Sequence, residues 1–221
     1  MLTKRLEAVA DMVTPGQNVA DIGTDHGYVP MYLIKENRAK HVYACDIAEG
    51  PLLTAYRNIR DGGFEDDIET VLSNGTESLE KGSVDCIVIA GIGGDLIVGI
   101  LNSSTILDDV QELVLSPHKR PDLVRKCIID LGFYIESEDM LEEAGKRYVI
   151  IKAKRTDDKD YSLNDVELTY GPVLLEEKDE VLKGFLENEK QKFEDILKDA
   201  PDDEHVKEVL ELNEKALAYF E

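Results

Sequence analysis

The 221-residue chain carries 47 acidic against 25 basic side chains, a formal net charge of −22, with 43% apolar residues, nine Tyr, five Phe and no Trp. That length accommodates one α/β core with an appendage, and the charge opposes non-specific nucleic-acid binding, so a polynucleotide substrate would need a local basic patch. No stretch approaches the roughly 20 apolar residues that span a bilayer, and MLTKRLEAVADMV is an amphipathic helix pattern rather than a signal peptide, which makes a cytoplasmic location the expectation.

In chain order, short β-branched runs alternate with amphipathic stretches, the pattern of parallel βα units. Strands are predicted near 18–22, 41–46, 68–72, 84–89, 111–116, 133–139 and 146–154, and helices over 3–13, 27–37, 48–61, 93–103 and 121–131. Thr14-Pro15-Gly16, Gly62-Gly63 and Gly132 stand where helices should stop. Only the turn around Glu143-Ala144-Gly145 separates the last two strands, which predicts an antiparallel hairpin closing a mostly parallel seven-stranded sheet. The cysteines Cys45, Cys86 and Cys127 are odd in number and far apart. They read as buried thiols rather than as a disulfide or zinc site, and no metal is expected.

Beyond residue 156 the strand signal fades. Residues 1–156 hold 26 acidic and 17 basic side chains, a net of −9, whereas residues 157–221 hold 21 and 8, a net of −13. Ser162 and Asp165 suggest a capping box for a short helix ended by Gly171-Pro172. Apolar residues then recur at three- and four-residue steps from Leu175 to Leu197, and after Ala200-Pro201-Asp202-Asp203 from Val206 to Phe220. Two antiparallel helices packed as a short coiled coil fit this pattern. The expected division is a Rossmann-like α/β domain at 1–156 and a helical hairpin at 157–221, joined by Asp157-Asp158-Lys159-Asp160.

The stretch VADIGTDHGYVPMYL (19–33) runs from a buried strand ending in Asp21, through a glycine turn, into a helix. Gly23 permits the turn, Thr24 follows it, and Gly27 allows close helix–strand packing. Asp25 and His26 stand where a GxGxxG dinucleotide fingerprint wants small residues. A pyrophosphate beside Asp21 and Asp25 would be repelled, whereas the ammonium and sulfonium of S-adenosylmethionine would be attracted. Asp46, at the second strand end, can accept both ribose hydroxyl protons, with Ile47 against the adenine. Asn74-Gly75, after the third strand, offers an amide for an adenine edge. Each of these also reads as a helix cap when taken alone, but in order at three successive strand ends they mark a ligand crevice. The fourth strand ends in Ala90-Gly91-Ile92-Gly93, whose exposed backbone lies where the donor methyl should point. The Asn/Asp-Pro-Pro-aromatic turn common in methylation of exocyclic amino groups is missing, which leaves a ring nitrogen, oxygen or carbon as acceptor.

These residues resemble one family, the bacterial tRNA (adenine(22)-N1)-methyltransferases. The resemblance rests on LTKRLEAVADMVTPGQNVADIGTDHGYVPMYL, CDIAEGPLLTAYRNI, AGIGGDLIVGIL and LGFYIESEDMLEEAGKRYVIIKA, and covers nearly the whole chain. It implies methyl transfer from S-adenosylmethionine to N1 of an adenine in the D-loop region of tRNA; the sequence does not fix the oligomeric state, and a monomer is the favoured expectation. Under that implication Asp25, His26 and the Gly91 carbonyl are the catalytic candidates, placed to orient the base and stabilise the positive charge that attack puts on the purine. Tyr28 would wall the unstacked base. The family shows a Gln-Pro-Asn-like turn after the fifth strand, where this chain has Ser116-Pro117-His118, and His118 could donate a similar hydrogen bond. Lys4 and Arg5, then Lys119, Arg120, Arg125 and Lys126, then Lys146 and Arg147 are the basic groups available to tRNA; for any single one, solvated surface is the ordinary alternative. Competing readings are a methyltransferase for a small molecule or protein, favoured by the charge, a dinucleotide-dependent oxidoreductase, and a non-catalytic binding scaffold.

Overall fold

The computed structural model describes residues 2–221. Its sheet runs in the order β3-β2-β1-β4-β5-β7-β6. The strands β1 (Gln17–Ile22), β2 (Ala39–Asp46), β3 (Ile68–Leu72), β4 (Cys86–Ala90) and β5 (Glu112–Ser116) are parallel, and β6 (Phe133–Glu143) and β7 (Lys146–Arg155) pair antiparallel. The central strand β4, CIVIA, is apolar throughout because both of its faces are covered. Ile87 and Ile89 pack under α4 (Gly94–Ser103) and α5 (Pro121–Asp130), while Cys86 and Val88 pack under α1 (Lys4–Met12), α2 (Tyr28–Lys35) and α3 (Glu49–Gly62). Seven strands and five helices therefore fall within a few residues of the predicted ranges. All three cysteines are free and buried.

β6 and β7 outrun their neighbours. Leu115 of β5 pairs with Ile151 of β7 and β5 ends one residue later, so residues 146–149 project past the carboxyl edge of the parallel strands, where ligands of such sheets bind. The connecting Ala144 and Gly145 both have positive φ, 50° and 72°, as a two-residue hairpin turn requires.

The C-terminal segment departs from expectation at two points. The capping box belongs to Asn164 and Glu167 rather than to Ser162 and Asp165, and it opens α6 (Asp165–Tyr170). The apolar series from Leu175 is two helices, α7 (Pro172–Glu176) and α8 (Glu180–Asp199), because Lys178 turns left-handed at φ 55° and Asp179 caps the next start. α8 and α9 (Glu204–Leu217) lie antiparallel, tied by Lys190–Glu214 and by the buried Asn213 amide donating to the Leu186 carbonyl. Leu174, Leu175, Leu182, Leu186 and Ala216 form an apolar cluster that also takes in Met140 of β6.

A buried ion pair fastens this segment to the sheet. Arg125 of α5 donates to Glu138 of β6 at 2.8 Å and to the carbonyls of Leu168 and Thr169 at the end of α6. The other Glu138 oxygen accepts from the Val173 amide of α7 at 3.1 Å. Gly171 passes directly over the pair at φ 101°, and a Cβ there would lie 2.5 Å from Glu138 Oε2. Only glycine fits.

Candidate active site

A cavity of about 550 Å³ opens at the carboxyl edge of the parallel strands, where β1 sits between β2 and β4 and the strand order reverses. Asp21, Gly23, Thr24, Asp25, His26 and Tyr28 line it from the first turn, Asp46 and Ile47 from the second, Asn74 and Gly75 from the third, and Ala90, Gly91 and Ile92 from the fourth. Arg5 and His118 complete the far wall. The sequence-predicted ligand turns thus converge on one space, of the size small-molecule sites occupy.

The first turn is held by paired bonds to the neighbouring strand. The amides of Gly23 and Thr24 both donate to the Cys45 carbonyl at 2.9 Å. Asp25 follows in the left-handed region at φ 52°, and its amide donates to Asp46 Oδ2 at 3.3 Å, so the first two acids are registered through backbone. Asp46 Oδ1 accepts from the Ala48 amide, which is part of the capping role the residue could play, while Ile47 beside it stands 70% exposed over the cavity. Asn74 spends its amide on Glu77 at 2.9 Å. His26 Nε2 lies 3.5 Å from Asp25 Oδ2, and its ring lies 5.7 Å from that of Tyr28.

Asp21 is the buried acid of the site. Burial pushes its carboxyl up to about 7, and the neighbouring Asp46 carboxylate adds to the rise. Thr24 lies close enough to temper that shift, yet its own buried Oγ1 makes no hydrogen bond of normal geometry. An unpartnered buried hydroxyl beside the Asp21 carboxyl, in a cavity that Asp25 and Asp46 also line and that exposed Ile47 borders, fits a ligand with a cationic end and a flat apolar end. S-adenosylmethionine has both.

The fourth-strand turn is braced by the loop after β5. The Gly91 amide donates to Ser116, Gly94 to Lys119, and His118 donates back to Ile92. A Cβ on Gly94 would lie 2.6 Å from the carbonyl oxygens of Lys119 and Arg120, so a glycine must open α4. His118 is held below the ordinary imidazole range, first by partial burial and then by the positive charge of Arg5 and Lys146.

Several expected residues stand elsewhere. Gly27 does not line the cavity, and it packs on a helix rather than a strand, since its Cβ position lies 3.3 Å from Ala55 and Ile59 of α3. Gly93 caps α4 outside the cavity. Arg125 is removed from any substrate surface, because its side chain is 1% exposed and committed to Glu138. Arg120 closes a fork on Asp122. Lys119 and Lys146 are exposed beside His118 without lining the cavity, and Arg147, also exposed, stacks on Phe185 of α8. Sequence reasoning missed Leu6, Ile22, Val29, Ser73, Leu96 and Ile100, which complete the lining. The signal for two of them was present. Leu96 and Ile100 form a second apolar stripe beside the core pair Ile97 and Leu101, one stripe more than α4 needs to bury against the sheet.

Known proteins share this architecture. A family model described as a methyltransferase domain matches residues 2–151. The tRNA (adenine(22)-N(1))-methyltransferase of Bacillus subtilis (strain 168) is 34% identical over 185 residues, covering 81% of this chain and 77% of that protein. The crystal structure of Streptococcus pneumoniae Sp1610 in complex with S-adenosyl-L-methionine matches with a TM-score of 0.88 at 33% identity, over 98% of this chain and 100% of that one. M. capricolum TrmK in complex with the cofactor product S-adenosyl-homocysteine matches with a TM-score of 0.89 at 27% identity, over the whole of both chains. At 34% identity over 81% of its length, and with a fold that overlays along nearly its whole length, the chain belongs to the tRNA (adenine(22)-N1)-methyltransferase family.

Proposed function

We propose that this protein transfers a methyl group from S-adenosylmethionine to N1 of adenine 22 in tRNA. The observation that carries the reading is the convergence of Asp21, Asp46 and Asn74 from successive strand ends on one cavity, in a chain of this family. When bound, the cofactor supplies an electrophilic methyl on a sulfonium. Asp46 holds the ribose, Ile47 with Leu96 and Ile100 flanks the adenine, and Asp21 faces the cationic tail. Gly23, Thr24 and Gly75 supply close backbone, and the carbonyls of Ala90, Gly91 and Ile92 surround the point of transfer.

The acceptor nitrogen has its own lone pair, so the protein's task is chiefly positioning. Asp25, steadied by His26, stabilises the positive charge that grows on the purine. Tyr28, 41% exposed at the mouth, is the wall for the unstacked base. Lys119, Lys146 and Arg147 meet phosphates around it. Residues 1–156 act as the catalytic unit and 157–221 as a helical unit that abuts the substrate, with the monomer as the working form and the cytoplasm as the site of action. No helix of the described residues is long and apolar enough to cross a membrane.

The test is transfer of labelled methyl to unmodified tRNA transcripts, with the product nucleoside identified by mass spectrometry. N1-methyladenosine that disappears when adenine 22 is changed is the expected result; transfer to no tRNA would overturn it. Asp46→Ala is expected to weaken cofactor binding about 100-fold, the worth of two charge-assisted hydrogen bonds.

A further inference from the structure

The cavity's charges are unbalanced in one direction. Its lining includes three carboxylates, Asp21, Asp25 and Asp46, against a single guanidinium, Arg5. For His118, the other basic group of the lining, burial and the neighbouring Arg5 and Lys146 disfavour the charged form. The cofactor on which the proposed function rests carries two positive centres and one carboxylate. In the proposed function Asp21 answers the cationic tail, Asp46 the ribose and Asp25 the charge that grows on the purine, which accounts for the three acids. The carboxylate needs a cation.

Arg5 is built for an anion. Despite 47 acidic residues in the chain, no ion pair among the described residues includes it, and its guanidinium stacks instead on the Tyr148 ring, 4.9 Å from the centroid. Stacking uses the face of the group and leaves its in-plane N–H fork free. Nη1 is buried with no hydrogen-bond partner. Nη2 lies 3.9 Å from where a Cβ of Gly91 would stand, which puts the fork over the end of β4. Tyr148 reaches this spot because β7 overhangs the strand edge there.

The order of the strands gives the direction. With adenine at Asn74 after β3 and ribose at Asp46 after β2, the remaining tail runs across β1 toward β4, where Arg5 waits. We infer that Arg5 binds the methionine carboxylate of S-adenosylmethionine through its free fork, and that Tyr148 is the positioning residue that holds the guanidinium in place. Arg5 is thereby a cofactor ligand rather than a contact to tRNA phosphate.

Binding isotherms separate these roles. The probes are S-adenosylmethionine, S-adenosylhomocysteine and 5′-methylthioadenosine, which keeps adenine, ribose and sulfur but lacks the amino acid end. Arg5→Gln should weaken the first two about 10- to 100-fold, the range of a charged hydrogen-bond pair, and leave 5′-methylthioadenosine unchanged. Arg5→Lys should recover part of the loss. Tyr148→Leu should give a smaller loss with the same selectivity, and Tyr148→Phe should match the wild type. Equal weakening of all three ligands would overturn the inference and make Arg5 a packing residue. Unchanged binding of all three, with weaker tRNA binding and a shallower salt dependence, would overturn it in favour of a phosphate contact. A wild-type protein that binds S-adenosylmethionine but methylates no tRNA defeats the proposed substrate alone and leaves the Arg5 result readable.

Discussion

Two regions of this molecule bury a carboxylate, and they treat it in opposite ways. In the joint between sheet and helical segment, Glu138 is bonded on both sides: Arg125 takes one oxygen, the Val173 amide takes the other, and α5, α6 and α7 meet β6 around the pair. In the crevice, Asp21 is equally buried, yet no ion pair among the described residues includes it and its carboxyl is pushed up to about 7. A buried charge without a partner is costly, and folds keep few of them. The joint uses its acid to fix an orientation. The crevice keeps its acid open for something that arrives later.

The sharpest way to break the joint is Arg125→Ala, which strands Glu138 in an apolar setting. A loss of about 3–5 kcal/mol is expected, measured by urea unfolding. Replacing both partners together, Arg125→Met with Glu138→Leu, should recover most of it, and failure to recover would mean that the pair does more than satisfy itself.

Asp21 should show the opposite economy. Its folded value lies above the ordinary 3.8, so the fold favours the protonated form. In the ligand-free protein its contribution to stability is full below about pH 4 and is lost as pH rises through 7. The step from 3.8 to about 7 corresponds to something on the order of 4 kcal/mol. Asp21→Asn should flatten that slope in chemical denaturation run from pH 4 to 8. A slope that persists in the variant would assign it to other groups.

The smallest effect should come from Phe185, whose ring in α8 lies 4.3 Å from the Arg147 guanidinium of β7. Phe185→Leu keeps the apolar contact and removes the cation–π term, for a cost of about 0.5–1 kcal/mol. A loss several times larger would mean that the joint rests on this surface contact as much as on its buried pair.

The fold was legible because its signals are local. Alternating β-branched and amphipathic stretches with glycine stops located seven strands and five helices, since each strand of CIVIA type advertises burial on both faces. The crevice was legible for a related reason: its residues follow strand ends, and strand ends were readable. What stayed hidden depends on distant partners. Arg125 reads as one of four basic residues around a turn, and nothing nearby in sequence says that Glu138 and two carbonyls of α6 enclose it. Gly27 read as the glycine of a close helix–strand contact, whereas α3 is what needs the space. Tyr148 sits in an ordinary strand pattern, and only the register of β7 against β5 lifts it to the mouth. The Asn164 capping box lay two residues from a pattern nearly as good, and Lys178 offers no glycine or proline to announce the break between α7 and α8.

The three thiols carry a consequence for watching this protein move. Cys45 and Cys86 sit within the sheet and Cys127 on α5, the helix that carries Arg125. Burial pushes the Cys45 thiol up to about 12 and raises the other two as well, so alkylating reagents are barred both by access and by the scarcity of thiolate. Modification under native conditions therefore counts openings of the chain, and each cysteine is a clock for the element that hides it. A molecule that loosens at the joint would mark Cys127 long before the pair in the sheet, whereas one that opens as a unit would mark all three together.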